Sequence, residues 1–142
     1  MSSNFLHRSA IYAFRKKVLR FYRKHGRSLP WRETQNPYHI LVSEFMLQQT
    51  QVKRVIPYYQ NFIRAFPTLS RLAKSSSQDV LRVWSGLGYN SRAIRLQQCA
   101  KQIVVDFGGE VPSDKDELQR LPGIGSYTAG AIAAFAYNKP DI

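Results

Sequence analysis

Apolar residues in this chain return at three- and four-residue intervals in one segment after another, and nowhere do they alternate over a strand's length. That period fits helices with one buried stripe each, and such helices must pack on one another to cover it. The breaks fall where helices end. Asn36-Pro37 supplies a cap and a first-turn proline for a helix through Ile40, Leu41, Met46 and Leu47. Val52, Val55, Tyr59, Phe62, Ile63 and Phe66 form the next stripe, with Pro57 marking a kink or a late start. Ser77 stands where it can cap residues 79–84, which Gly86 closes. Asn90 or Ser91 opens a long helix through Ile94, Leu96, Ile103 and Val104, ended by Gly108-Gly109. Ser113-Asp114-Lys115-Asp116 resembles a capping box with aspartate in place of Glu or Gln, opening a short helix to Leu121. A glycine turn and a last helix over 127–137 complete the series. With no repeat and no low-complexity linker, the chain reads as all-α and one unit.

At 142 residues and 44% hydrophobic, the chain is long and apolar enough for one core, which excludes a disordered tail. A single cysteine, Cys99, excludes an intrachain disulfide and a self-contained cysteine-rich metal site. The longest apolar or small run, 129–137, is about half of a bilayer span. Lysine and arginine number 21 against nine acids, for a net charge of +12. Such a surplus points to a polyanionic partner, nucleic acid first; the plainer reading is a basic surface that binds nothing. Eight of these cations, Arg8 to Arg27, lie in the first 30 residues, which hold no acid. A basic amphipathic start fits a mitochondrial transit peptide. Against it, Ile11, Phe14, Val18, Phe21 and Tyr22 recur at helical spacing before Gly26, which predicts a packed helix with a basic outer face. Residues 1–10 carry no secretory apolar core, so secretion is not expected.

Three places can carry chemistry. In Leu121-Pro122-Gly123-Ile124-Gly125, two glycines one residue apart allow a tight turn and close approach by another molecule. The next helix starts at Ser126 or Tyr127, so its free N–H groups leave the turn, an arrangement suited to phosphate. A plain helix–helix turn explains a lone GxG equally; in so basic a chain the phosphate-binding hairpin over 118–137 is favoured. Glu44 is the only acid between Glu33 and Asp79 and sits in an apolar helix. Its carboxyl is either held protonated by hydrocarbon, and able to act as a general acid, or paired with one of the many arginines. Gln48-Gln49-Thr50 and Gly86-Leu87-Gly88-Tyr89 both fall at helix ends. Such groups either push between bases and fill the gap left by an extruded nucleotide, or simply pack as loop and core.

Several segments together resemble one family. Leu29-Pro30-Trp31-Arg32, Pro37-Tyr38, the run from Ser43 to Val52 (SEFMLQQTQV), Gly86-Leu87-Gly88-Tyr89 and the run from Leu121 to Gly130 (LPGIGSYTAG) look like the MutY-type adenine DNA glycosylases. These belong to the helix-hairpin-helix glycosylase superfamily, and the likeness runs in order from Phe14 to Lys139. It implies an all-α helix-hairpin-helix glycosylase fold: a six-helix barrel lobe carrying the hairpin, and a second, incomplete lobe. The partner implied is double-stranded DNA, from which adenine opposite 8-oxoguanine or guanine is flipped and hydrolytically removed. Glu44 matches the catalytic acid, which protonates the purine at N7. Trp31, Arg32 and Tyr127 match positions at the base pocket. Gln49, Leu87 and Tyr89 match residues that wedge into the duplex, with Gln48 and Thr50 beside them. Gly123, Gly125 and Ser126 match the phosphate clamp, and carbonyls at Gln119, Leu121 and Ile124 match a monovalent cation site for Na+ or K+. Bifunctional relatives carry a lysine nucleophile at the position of Tyr127, so tyrosine implies a monofunctional hydrolase. Localisation follows the DNA: the nucleoid of a prokaryote, or the nucleus or mitochondrion of a eukaryote.

Two departures qualify the resemblance. The superfamily's catalytic aspartate falls past Ile142, and Asp141 is short of that position and reads as a loop acid. The helices of the second lobe, the four cysteines of the family's 4Fe-4S cluster and the 8-oxoguanine-reading domain are missing too, leaving no cofactor within these residues. The expectation is salt-dependent duplex binding with poor base release, the helix-hairpin-helix glycosylase domain over 1–142 stopping before its aspartate. Asn90 stands where MutY enzymes repeat tyrosine, as in mismatch thymine glycosylases, so removal of thymine or uracil opposite guanine is the alternative reaction. A non-catalytic DNA-binding helical module is the alternative of another class.

Overall fold

The Asn36 side chain accepts hydrogen bonds from the Tyr38 and His39 N–H groups at 3.0 and 3.5 Å, and Pro37 begins the helix that becomes the centre of the molecule. In this computed structural model, which describes residues 2–26 and 28–139, every regular element is helical. Along the chain come α1 (Ser2–His25), a short 3-10 turn (Pro30–Arg32), α2 (Pro37–Leu47), α3 (Val52–Ala65) and α4 (Leu69–Lys74). Then follow α5 (Ser77–Trp84), α6 (Ser91–Phe107), α7 (Lys115–Gln119) and α8 (Ser126–Tyr137). No described helix is long and apolar enough to cross a membrane.

Helix α2 packs against α3, α6 and α8 at once; α4 and α5 lean on α6, and α7 leans on α8. A helix with neighbours on three sides must be apolar nearly all round. Accordingly Leu41, Val42, Phe45 and Met46 are wholly buried, where they meet a core that includes Phe62, Trp84, Leu96 and Ile132. Each such side chain withdrawn from water contributes about 1.5–3 kcal/mol before entropy is counted.

Four sequence-based boundaries shift, each for a local reason. Helix α3 begins at Val52, so Pro57 lies inside it rather than at a late start; Pro57 and Lys53 are both exposed, so the carbonyl that loses its N–H partner meets water. Ser76, not Ser77, caps α5 by accepting from the Asp79 N–H at 3.1 Å. Ser77 instead donates to Gln97 Oε1 at 2.9 Å. Asp114 caps α7 through the Glu117 N–H at 3.0 Å, so the box is Asp114 with Glu117 and the helix stops at Gln119.

The larger correction concerns α1. It is a helix with a basic surface, as its spacing predicts, but it is not packed. Phe14 is 69% exposed and Phe21 67%, and Ile11, Val18 and Tyr22 are exposed too. A 3.4 Å bond from Arg32 Nη1 to the Tyr22 hydroxyl links it to the body. Arg27 and Asp141 lie outside the described residues.

Candidate base pocket and nucleic-acid interface

Ile40, Ser43, Glu44 and Leu47 fall at i, i+3, i+4 and i+7, one face of α2. That face forms a wall of a cavity of about 260 Å³ closed by Trp31, Arg32, Gln48, Tyr127, Thr128 and Phe135. The volume is near the lower limit of small-ligand sites, about 300 Å³, and suits one flat heterocycle. Trp31 is held edge-on to Tyr59 with ring centroids 5.3 Å apart. The exposed Arg32 stands at the rim, its guanidinium carbon 5.4 Å from the centroid of the Phe135 ring.

Glu44 is 9% exposed and, among the described residues, neither hydrogen-bonded nor ion-paired. Of the two readings of its environment, pairing with an arginine is therefore not realised. Burial raises its pKa from 4.5 to about 6, against a smaller opposing pull from the Arg32 charge. The carboxyl thus lines the cavity and keeps its proton to about pH 6, above the ordinary carboxylate range. It can donate that proton to a ring nitrogen placed in the pocket.

The hairpin abuts this cavity. Leu121 and Ile124 are buried, 3% and 5% exposed, whereas Gly123 and Gly125 are exposed. Gly123 has φ of 78°, and a Cβ there would meet the Phe45 ring at 2.7 Å; it is needed both for the turn and for contact with α2. Gly125 has φ of −90° and open space where a Cβ would go, so no packing demand requires glycine there. The N–H groups of Gly125, Ser126 and Tyr127 find no acceptor among the described residues, leaving an anion-ready end on α8. Gln48 Nε2 donates to the Gly123 carbonyl at 3.5 Å and ties α2 to the hairpin. The Leu121 carbonyl accepts from the Ile124 N–H at 3.3 Å, while those of Gln119 and Ile124 accept no bond among the described residues.

Beyond Gln48 the chain turns sharply. Gln49 adopts φ of 56° and Tyr89 φ of 46°, left-handed values unusual for residues with side chains. Both are exposed, and with Gln48, Ser91, Arg92 and Arg95 they line a second, open cleft of about 400 Å³. Thr50 closes the first turn, its hydroxyl donating to the Gln48 carbonyl at 3.4 Å. Leu87 departs from its expected place: at 3% exposed it belongs to the core. Gly86 and Gly88, at φ of 96° and 89°, bend the loop so that Leu87 turns inward while Tyr89 turns out. The wedge positions present at the surface are therefore Gln49 and Tyr89.

Several residues of the site carry weaker signals in the sequence. Ser43 and Leu47 share the helix face of Glu44 on α2, and Phe135 lies seven residues from Thr128 on one face of α8. Arg92 carried no such signal. It is 5% exposed, and three of its five partners are backbone carbonyls more than 40 residues away. Cys99, the only cysteine, is fully buried in α6, and burial pushes its thiol up to about 12. A lone buried thiol cannot hold an iron–sulfur cluster, and no group of three or more potential metal-ligating side chains occurs among the described residues.

Residues 42–141 match the family described as HhH-GPD superfamily base excision DNA repair protein. The chain is 46% identical over 138 residues to the adenine DNA glycosylase of Rattus norvegicus, covering 91% of this chain and 27% of the relative. It is 50% identical over 123 residues to that of Mycobacterium tuberculosis, covering 86% and 40%. The chain therefore spans well under half the length of these relatives. Among solved structures, a thermostable thymine-DNA glycosylase superposes with a TM-score of 0.83 at 30% identity, over 90% of this chain and 59% of that one. Endonuclease III in a non-covalent DNA complex shares the fold, with a TM-score of 0.73 at 20% identity over 89% of this chain and 60% of that one. With the match covering most of its length, the chain belongs to the HhH-GPD superfamily of base excision DNA repair proteins.

Proposed function

We propose that this chain carries the base pocket and phosphate-binding hairpin of a MutY-type adenine DNA glycosylase. The observation that carries the reading is Glu44: an unpartnered carboxyl at the wall of a cavity sized for one base, with its pKa raised to about 6. The curated relatives, named adenine DNA glycosylases, support adenine as that base. A duplex with a poor pair opens at low cost, a few kcal/mol at most, and the freed adenine enters against Trp31. Glu44 gives its proton to N7, which makes the purine a better leaving group, and the resulting carboxylate can then activate water. Tyr127 has no amine with which to form an imine to the sugar, so the bond is broken by hydrolysis. The hairpin amides from Gly125 to Tyr127 hold a phosphate of the strand meanwhile.

The free carbonyls of Gln119 and Ile124, with the second lone pair of Leu121, suit a monovalent cation. Na+ or K+ held there would add positive charge beside the phosphate. Within these residues Cys99, the one cysteine, is buried in α6 and has no second thiol with which to hold a 4Fe-4S cluster.

Single-turnover base release on A:8-oxoguanine, A:G, T:G and U:G duplexes, with protein in excess, registers even slow chemistry. The expected result is slow adenine release, reduced about 10²–10⁴-fold by Glu44→Gln while duplex affinity holds. The second reading, removal of thymine or uracil opposite guanine, rests on Asn90 and the 30% identity to the thymine-DNA glycosylase. Release from T:G or U:G alone would establish it. Binding without release from any duplex would leave a DNA-binding module.

A further inference from the structure

Arg92 is a buried cation that meets no carboxylate among the described residues. Its Nη1 donates to the carbonyls of Phe45, Met46 and Gln48, at 3.2, 2.7 and 2.5 Å. Nη2 donates to the Gly88 carbonyl at 3.0 Å, and Nε reaches the Tyr89 carbonyl at 3.4 Å. Its guanidinium carbon lies 5.2 Å from the Trp84 ring centroid and 5.6 Å from that of Tyr89. Three of the five acceptors are at the end of α2, a helix with no basic residue in its own last turn. There the unpaired carbonyls gather negative charge that a cation can offset. The other two belong to the loop between α5 and α6.

These two groups of carbonyls adjoin the two strained turns. Gln48 precedes Gln49 and Gly88 precedes Tyr89, the left-handed residues that flank the open cleft. Left-handed backbone is unfavourable for residues with side chains and persists only where surrounding contacts hold it. One planar, five-donor group spans both turns; an ammonium with three donors on a flexible stem cannot bridge them in the same way.

We propose that Arg92 is a positioning residue that fastens the turns of Gln49 and Tyr89 into one preformed wedge, so that opening of the duplex at a poor pair depends on it. The inference rests on the duplex-opening reading above and adds to it the residue that sets the wedge. It acts through the two turns, without touching the base.

The test is a duplex with 2-aminopurine beside an A:G pair, whose fluorescence rises on unstacking, titrated with parent protein and with Arg92→Lys. Circular dichroism and affinity for a fully matched duplex report the fold and the phosphate contacts. The lysine variant should keep its helical signal and matched-duplex affinity. It should lose roughly tenfold in mismatch preference and most of the fluorescence rise, the scale of a lost charged hydrogen bond. An unchanged rise in the variant overturns the lock and leaves the glycosylase reading intact. No rise with the parent overturns the duplex-opening reading and the lock together. If Arg92→Lys does not fold, guanidinium NMR on the parent decides. Separate, slowly exchanging η-proton signals fit a group held from both sides, whereas a single averaged signal overturns the proposal.

Discussion

Helix α2 buries eight of its eleven residues, whereas α1, twice as long, leaves Phe14, Leu19, Phe21 and Tyr22 in solvent. Both carry apolar residues at helical intervals. The difference lies in what surrounds them. Helix α2 begins at a side-chain cap and is enclosed by α3, α6 and α8, so even its single acid is drawn into the interior. Helix α1 carries seven lysines and arginines along 24 residues, long enough for a helix to persist on its own bonds. An apolar stripe therefore specifies a helix; the neighbours specify whether it is core. Among the helices that do pack, the price of enclosing Glu44 is paid at the same place where chemistry needs a retained proton.

The sharpest way to break that comparison is a pair of truncations. Leu41→Ala, at a fully buried position, should cost about 2–5 kcal/mol in urea unfolding. Phe14→Ala on α1 should change stability by no more than about 0.5 kcal/mol. Equal losses would mean that α1 packs in solution as its spacing predicts.

Within the hairpin, Gly123→Ala forces a left-handed alanine against the Phe45 ring and should destabilise by roughly 2–4 kcal/mol. Gly125→Ala meets open space and should shift thermal unfolding little, while weakening duplex affinity in a gel-shift assay. Equal binding by Gly125→Ala and parent would remove the hairpin amides from the interface.

The enclosure of Glu44 also predicts a pH dependence. Because its folded pKa, about 6, lies above the ordinary 4.5, the native state binds the proton more tightly than the unfolded state. That contribution is complete below pH 4.5 and lost as pH rises through 6, a difference of about 2 kcal/mol. Glu44→Gln should therefore be more stable than the parent at pH 8 by about that amount, and nearly matched at pH 4. Urea midpoints at the two pH values check this, and a uniform shift at both would assign the effect to packing instead.

Much of the molecule was legible in its residues because the signals were local. Asn36-Pro37 placed α2, Gly108 ended α6, and the isolation of Glu44 among apolar neighbours supplied one of two readings of its carboxyl, the one that its burial favours. Errors arose where a neighbour competed for a role. Ser76 took the cap of α5 because Ser77 found Gln97, and Leu87 turned inward because two glycines bent its loop. Arg92 was illegible for a different reason: sequence pairs charge with charge, whereas this guanidinium is neutralised by the ends of a helix and a loop.

The burial of Cys99 gives the protein a built-in reporter. A thiol with no exposed surface and a pKa pushed to about 12 presents almost no thiolate to an alkylating reagent while the fold holds. Since no other cysteine competes, the rate of modification times the opening of the α6 core directly. By the same logic, a cysteine introduced on the exposed rim at Tyr127 would be labelled alone, leaving a dye at the pocket mouth to signal an arriving strand.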